Sequence, residues 1–433
     1  MRWRAHGIVL GAGLLLSACL PEGQQLPQAP LLSALEPKSG RIAVLGPDRN
    51  VYTMDQAGGD LIPITDDASV EGSAVLYRTP TWSPGADRLA LPRHLFEDGT
   101  LTHSSVIVVP SDGSSRSVVF ETEDDHPVYL DWSPAGDRLT VLTTGRTRSG
   151  VSMWNVPVDG GEPQLIDAGQ AAFWDWTPGG GELLAHIDGS AAENPGRARV
   201  SLLHLGSSVS ERRLAVEPSD FQTPALSPDG ALALIAGDGA SGEPALLLTT
   251  PWGDNIAELI PLESEVAFGW SPAGRYAAYI TAEPGQQNML GRLRLLDLED
   301  PGAPVAIETG DSLAVAFDWA PDGEHILSYA PIAGEPAAEG EAAILLLRLN
   351  VTETRSGETR RLGTIRPTEE FFALLPYFDQ YAQSATAWSP DSRNIVFTAL
   401  TPDGTPGVFV VAASGTIEPR PIGVGVYAVW SWE

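Results

Sequence analysis

The sequence contains one cysteine, Cys19, in 433 residues. No disulfide can form within the chain, so a packed apolar core must hold the fold, and a chain of this length can build one. Lysine is nearly as scarce, with Lys38 the only one; basic residues number 26 against 56 acids, a net charge of −30. That balance excludes the basic footprint that nucleic acid or an anionic membrane surface requires. Motifs that carry chemistry are also missing. His94, His103, His126, His186, His204 and His325 show no H-E-x-x-H spacing, and neither a G-x-S-x-G elbow nor a phosphate-cradling glycine loop occurs. The turns Asp229-Gly230, Asp322-Gly323 and Asp403-Gly404 lack the dense run of oxygen ligands of a calcium loop. Nothing singles out a glycosidase-like pair among the acids. No catalytic residue, metal or cofactor is therefore expected, and the chain reads as a binding protein rather than an enzyme. Helical periodicity is nearly absent, and beyond the N-terminus no run is apolar enough to span a bilayer.

The N-terminus supplies a reason for the lone cysteine. Arg2 and Arg4 precede the apolar stretch 7–16, which is short for a membrane helix and has the flanks of a secretory signal. Leu16-Ser17-Ala18-Cys19 resembles the bacterial lipobox, which implies cleavage before Cys19 and a diacylglycerol on its thiol. The resulting division is a signal peptide at 1–18, a lipidated cysteine and Pro-rich tether at 19–40, and a folded domain at 41–433. Loss of the two signal arginines takes the net charge to −32. Extended in the polyproline II manner, the tether would reach roughly 60 Å. An extracytoplasmic protein anchored to the lipid bilayer is expected, periplasmic or at the cell surface.

The domain is built on a repeat. Trp82-Ser83-Pro84-Gly85 is followed by equivalents at Trp132, Trp176, Leu226, Trp270, Trp319 and Trp388, with steps of 50, 44, 50, 44, 49 and 69 residues. After each motif comes an apolar run such as Arg138-Leu139-Thr140-Val141, then a loop, a second run, a turn and a last strand. Four short strands per unit of this length make a propeller blade. Ser-Pro-Asp-Gly suits a tight turn, because proline presets φ at the first central position and glycine tolerates positive φ. The tryptophan ahead of it ends the innermost strand, where its ring would pack between blades. These units resemble the WD40-like repeats of the TolB-type propellers, whose blades begin W-S-P-D-G. The resemblance runs over roughly 41–433 and implies the fold, not an activity.

The ends of the chain count the blades. Residues 427–432, Tyr-Ala-Val-Trp-Ser-Trp, form an innermost strand with no blade after it, whereas 41–65 supply three outer strands with none before. Joining the two, with Trp430 in the repeat-tryptophan role, closes the ring and removes exposed sheet edges. An all-β propeller of eight four-stranded blades is expected; seven, with one degenerate unit, is the competing count.

Added length falls on one face, in the loops 93–103, 188–198, 281–291 and 331–341 and in a long excursion near 362–384. Thr368-Glu369-Glu370 followed by an apolar run reads as a helix start, and Pro376 as its stop or kink. Phe371, Phe372, Tyr377, Phe378 and Tyr381 crowd into eleven positions. Such clusters mark partner surfaces when exposed; alternatively they plug the channel mouth. An envelope protein or peptide is the expected partner and a monomer the expected state, with carbohydrate or small-ligand binding in the channel as the alternative and hydrolase or lyase chemistry behind it.

Overall fold

The computed structural model describes residues 37–69, 74–145, 150–189, 198–219, 221–283, 289–310, 313–334 and 344–433. The expected signal peptide, Cys19 and the expected tether up to residue 36 lie outside these, as do parts of the loops 188–198, 281–291 and 331–341.

Eight antiparallel sheets form a β-propeller. Blades are numbered in chain order. Blade 1 is composite, running outward from Tyr427–Trp430 through Ile42–Leu45 and Val51–Met54 to Ile62–Pro63. Ile42 faces Trp430 and Leu45 faces Tyr427 in an unbroken register. Blades 2 to 7 each place the motif-bearing strand innermost. Blade 8 departs from the expected four strands. Only Asn394–Leu400, Pro406–Ala412 and Arg420–Val424 form a ladder, and the innermost segment is reduced to a bridge between Trp388 and Ile395. Its chain arrives from helices packed over the channel, and the Val396 N–H still donates to the Ala387 carbonyl at 2.8 Å.

Second and third strands are apolar on both faces because each sheet is covered on both sides. Arg138–Gly145, for example, buries five consecutive residues from Leu139 to Thr143. The core consists of layers between neighbouring blades. Ala90, Val106 and Val108 of blade 2 meet Leu130, Trp132 and Val141 of blade 3, while Ile42 and Met54 of blade 1 meet Val396 and Val410 of blade 8.

The repeat tryptophans tie those layers together. The Trp132 indole N–H donates to the Thr81 carbonyl at 3.2 Å, Trp270 to Ala225 at 3.1 Å, and Trp388 to Asp318 at 3.1 Å, each one blade back. Trp430 donates to the Ser39 carbonyl at 2.7 Å, clasping the start of the domain. Trp82, Trp388 and Trp430 are fully buried; Trp176 and Trp270 are buried and Trp319 is half-buried. Inside the motif turns the serine hydroxyl accepts from the second strand, as in Leu232 N to Ser227 Oγ at 2.9 Å, and donates to Asp229 at 2.6 Å.

The 93–103 segment is not an irregular loop. Arg88–Glu97 and Thr100–Pro110 continue the ladder as a long hairpin to Glu97↔Thr100, turning at Asp98-Gly99. The excursion is also shorter at its start than its spacing suggests, since Thr359–Ile365 is the outer strand of blade 7.

Consecutive motif turns stack around the ring, which tightens Gly230 and Gly323 most. Gly230 sits at φ +69°, and a methyl there would lie 3.0 Å from Pro178 Cδ of the preceding blade. Gly179 has open space around it and no such φ. Gly230→Ala should cost about 1–2 kcal/mol of stability and Gly179→Ala nearly nothing, measured by urea unfolding. Equal losses would show that the turn stack is not tight.

Candidate functional site

The elaborated face is closed by the excursion. α1, Glu369–Leu374, leads through a 3₁₀ turn at Leu375–Tyr377 to α2, Phe378–Tyr381. Pro376 lies in that turn, where its missing N–H costs no helical bond. Thr368 occupies the N-cap position of α1 but does not cap through its side chain. Its hydroxyl instead donates to the Val426 carbonyl at 2.6 Å and meets Thr398 Oγ1 at 2.8 Å. On the first turn, Glu370 pairs with Arg49 of blade 1 at 2.7 Å.

From there the segment crosses the channel mouth. Phe371 packs edge-on against Tyr329 and Phe378 against Phe317, both of blade 7. Tyr381 packs on Tyr129 of blade 3, the opposite side of the ring, with ring centroids 4.8 Å apart, and its hydroxyl donates to the Val128 carbonyl at 3.1 Å. Gln380 fixes the centre. Its amide oxygen accepts from Trp174 N at 2.7 Å and its amide nitrogen donates to the Trp174 carbonyl at 3.1 Å. The side chain thus imitates one residue of a further strand on the inner edge of blade 4. An innermost strand otherwise leaves that edge unpaired toward the channel, where missing partners are costly.

The sequence-selected aromatics therefore divide. Phe378 is buried, Phe371 and Tyr381 are half-buried, and all three turn inward. Phe372 and Tyr377 stay outside, 42 % and 50 % exposed.

Beneath the helices the channel forms a cavity of about 340 Å³ that reaches the motif-turn face at Pro228, Pro272 and Pro321. Trp270, Trp319, Phe317 and Phe378 contribute aromatic walls, and Asp175, Asp318 and Asp379 contribute carboxyls. Each acid satisfies a backbone N–H that the ring would leave open. Asp175 accepts from Leu226 N at 2.7 Å, Asp318 from Ala387 N at 2.8 Å and Asp379 from Thr223 N at 3.2 Å. Burial opposes their ionisation more than these bonds favour it: Asp175 and Asp318 are pushed up to about 7, and Asp379 is raised. Asp131, fully enclosed and accepting from Trp174 Nε1 at 2.9 Å, is likewise held well above the usual carboxylate range by burial.

These acids were missed in the sequence, although a signal was present. Asp-Trp recurs at Asp131-Trp132, Asp175-Trp176 and Asp318-Trp319, one fixed repeat position carrying the same acid. Asp379 and Gln380 had no such signal. Among the described residues no three His, Cys, Asp or Glu side chains converge as a metal site, and no helix is long and apolar enough to cross a membrane.

Comparison with solved structures bears on the fold. The chain aligns over 91 % of its length with a eukaryotic initiation factor and with an oligogalacturonate lyase in complex with manganese, covering 98 % of each. Identities are 12 % and 13 %, and both TM-scores are 0.50. TolB from Acinetobacter baumannii aligns over 81 % of this chain and 80 % of its own at 12 % identity, with a TM-score of 0.36. No family model matches the sequence, and no curated protein matches it. The first two likenesses agree with the propeller architecture seen directly in the eight sheets.

The raised acids fix a pH dependence. Their unfolded values lie near 3.8 and the folded values of Asp175 and Asp318 near 7, so the folded state holds more protons between those limits. Stability from these groups is greatest at the acidic end and falls as pH rises through that window. Asp318→Asn keeps an acceptor for Ala387 N and cannot ionise. It should flatten the decline and raise stability at pH 8 by on the order of 2 kcal/mol, read from denaturant unfolding at pH 5 to 8. Parallel profiles for the two proteins would exclude the assignment.

Proposed function

We propose that the chain is a lipid-anchored extracytoplasmic propeller that holds a protein or peptide partner on its elaborated face, binding rather than transforming it and acting as a monomer. The observation that carries this reading is the two-sided character of 366–385. The inner side of the segment is fixed to blades 1, 3, 4, 7 and 8 by the contacts of Thr368, Glu370, Phe378, Gln380 and Tyr381. Its outer side offers Phe372 and Tyr377 to solvent. Exposed aromatic side chains on a backbone already ordered can bind with little further entropy loss, which is how partner anchors gain affinity. The lipobox-like Leu16-Ser17-Ala18-Cys19 supports the anchor, and the excess of acid over base argues against nucleic acid as the partner.

The channel favours a second reading. Aromatic walls beside Asp175, Asp318 and Asp379 suit a small polar ligand entering from the motif-turn face.

In-cell cross-linking separates the two. The double variant Phe372→Ser with Tyr377→Ser, which touches only exposed side chains, should fold normally and lose the partner captured by the native protein. Undiminished capture would reject the aromatic surface as the contact. Thermal stabilisation by members of a sugar and peptidoglycan-fragment panel, abolished by Asp318→Asn, would favour the channel instead.

A further inference from the structure

Beside α1 on the elaborated face lies another cavity of about 340 Å³, between blades 1, 2 and 3. Its charged wall contrasts with the chain as a whole. Arg49, Arg78, His94 and His126 face it, with Glu370 the only acid in the lining. Glu370 and Arg49 neutralise one another at 2.7 Å. Arg78 is exposed, its backbone N–H donates to the Pro92 carbonyl at 3.1 Å, and among the described residues no carboxylate pairs with its guanidinium. Apart from Thr79 and the Tyr381 hydroxyl the rest of the lining is apolar, with Phe96, Leu101, Val128 and Leu374 prominent.

The two histidines are held in place. His94 is buried, its Nδ1 is 3.0 Å from Ser104 Oγ, and its ring meets His126 edge-on with centroids 6.2 Å apart. His126 Nε2 is 2.8 Å from Thr144 Oγ1. Burial first, then the charge of Arg78 and the neighbouring His126, depress His94 to about 4. At neutral pH His94 therefore adds no charge, whereas the Arg78 guanidinium at the rim is a permanent one.

An arginine that no carboxylate among the described residues pairs, set over a largely apolar cavity, matches one ligand chemistry. We infer that this pocket receives a carboxylate carried on an apolar body, such as the C-terminal residue of a peptide segment, with Arg78 as the charge partner and Phe96, Leu101 and Leu374 around the side chain. The inference rests on the partner-binding reading above and specifies the chemistry recognised beside its aromatic surface.

Calorimetric titration of the folded domain with N-acetyl-leucyl-leucine, as the free acid and as its C-terminal amide, tests it directly. The acid should bind at least tenfold more tightly than the amide. Arg78→Gln should abolish that preference at unchanged melting temperature, and Arg78→Lys should restore part of it. Equal binding of acid and amide, no binding of either, or an acid affinity indifferent to Arg78→Gln would overturn the assignment. Acetate or inorganic phosphate binding as tightly as the peptide acid would overturn the part assigned to the apolar wall. The cellular arm keeps the two ideas apart. If Arg78→Gln leaves partner capture intact while the Phe372 and Tyr377 variant loses it, the pocket fails and the partner surface stands.

Discussion

Everything in this molecule depends on closing a ring from two ends of the chain. The pairing of Ile42–Leu45 with Tyr427–Trp430 joins segments almost the full domain length apart. Until it forms, blade 1 lacks its innermost strand, and the core layers on either side of it are incomplete. The closure is reinforced locally. Ser39 accepts from the Trp430 indole, Ser431 Oγ accepts from Arg41 N at 2.9 Å, and Lys38 bridges Asp55 and Asp60 at 2.7 Å each. The sole lysine thus lies at the seam, although exposure limits what its ion pairs add.

A closed ring turns one problem into another. It removes outer edges between the ends of the chain but directs the inner edge of every innermost strand toward the channel. Those backbone groups need partners. The protein supplies them in two ways. Carboxyls from the preceding blade reach across, as Asp175 does to Leu226 and Asp318 to Ala387. Elsewhere the helical segment provides them, as Gln380 does for Trp174. The buried acids are therefore intelligible as structural acceptors first; their raised pKa values follow from the burial that this role demands.

The same segment determines what each face can do. By crossing from blade 7 to blade 3 it withdraws three of its five aromatic side chains into the channel mouth, above a cavity that reaches the motif turns. The elaborated face keeps the outer aromatics Phe372 and Tyr377 and, beside α1, a cavity whose charged rim is a guanidinium in an otherwise acidic protein. Loops on a rigid scaffold commonly carry function, and here the scaffold fixes the loop from several blades at once.

The sequence alone determined what repeats. A tryptophan-and-turn motif recurring at blade spacing carries fold class, strand order and the composite first blade, because each unit must bury the same faces against its neighbours. Even the channel acids were legible in principle, through Asp131, Asp175 and Asp318 at one repeat position. The tertiary structure alone decided what does not repeat. The aromatic cluster at 371–381 was visible, yet its division into buried Phe378 and exposed Tyr377 depends on which side meets the opposite blade. The reduction of blade 8 to three ladder strands follows from helices descending into it. Arg78, His94 and His126 come from two neighbouring blades, but Glu370, Ala373 and Leu374 of α1 join them around one cavity only in the folded ring. Local pattern encodes contacts that every blade makes alike; contacts across a ring join residues hundreds of positions apart, and only the closed geometry brings them together.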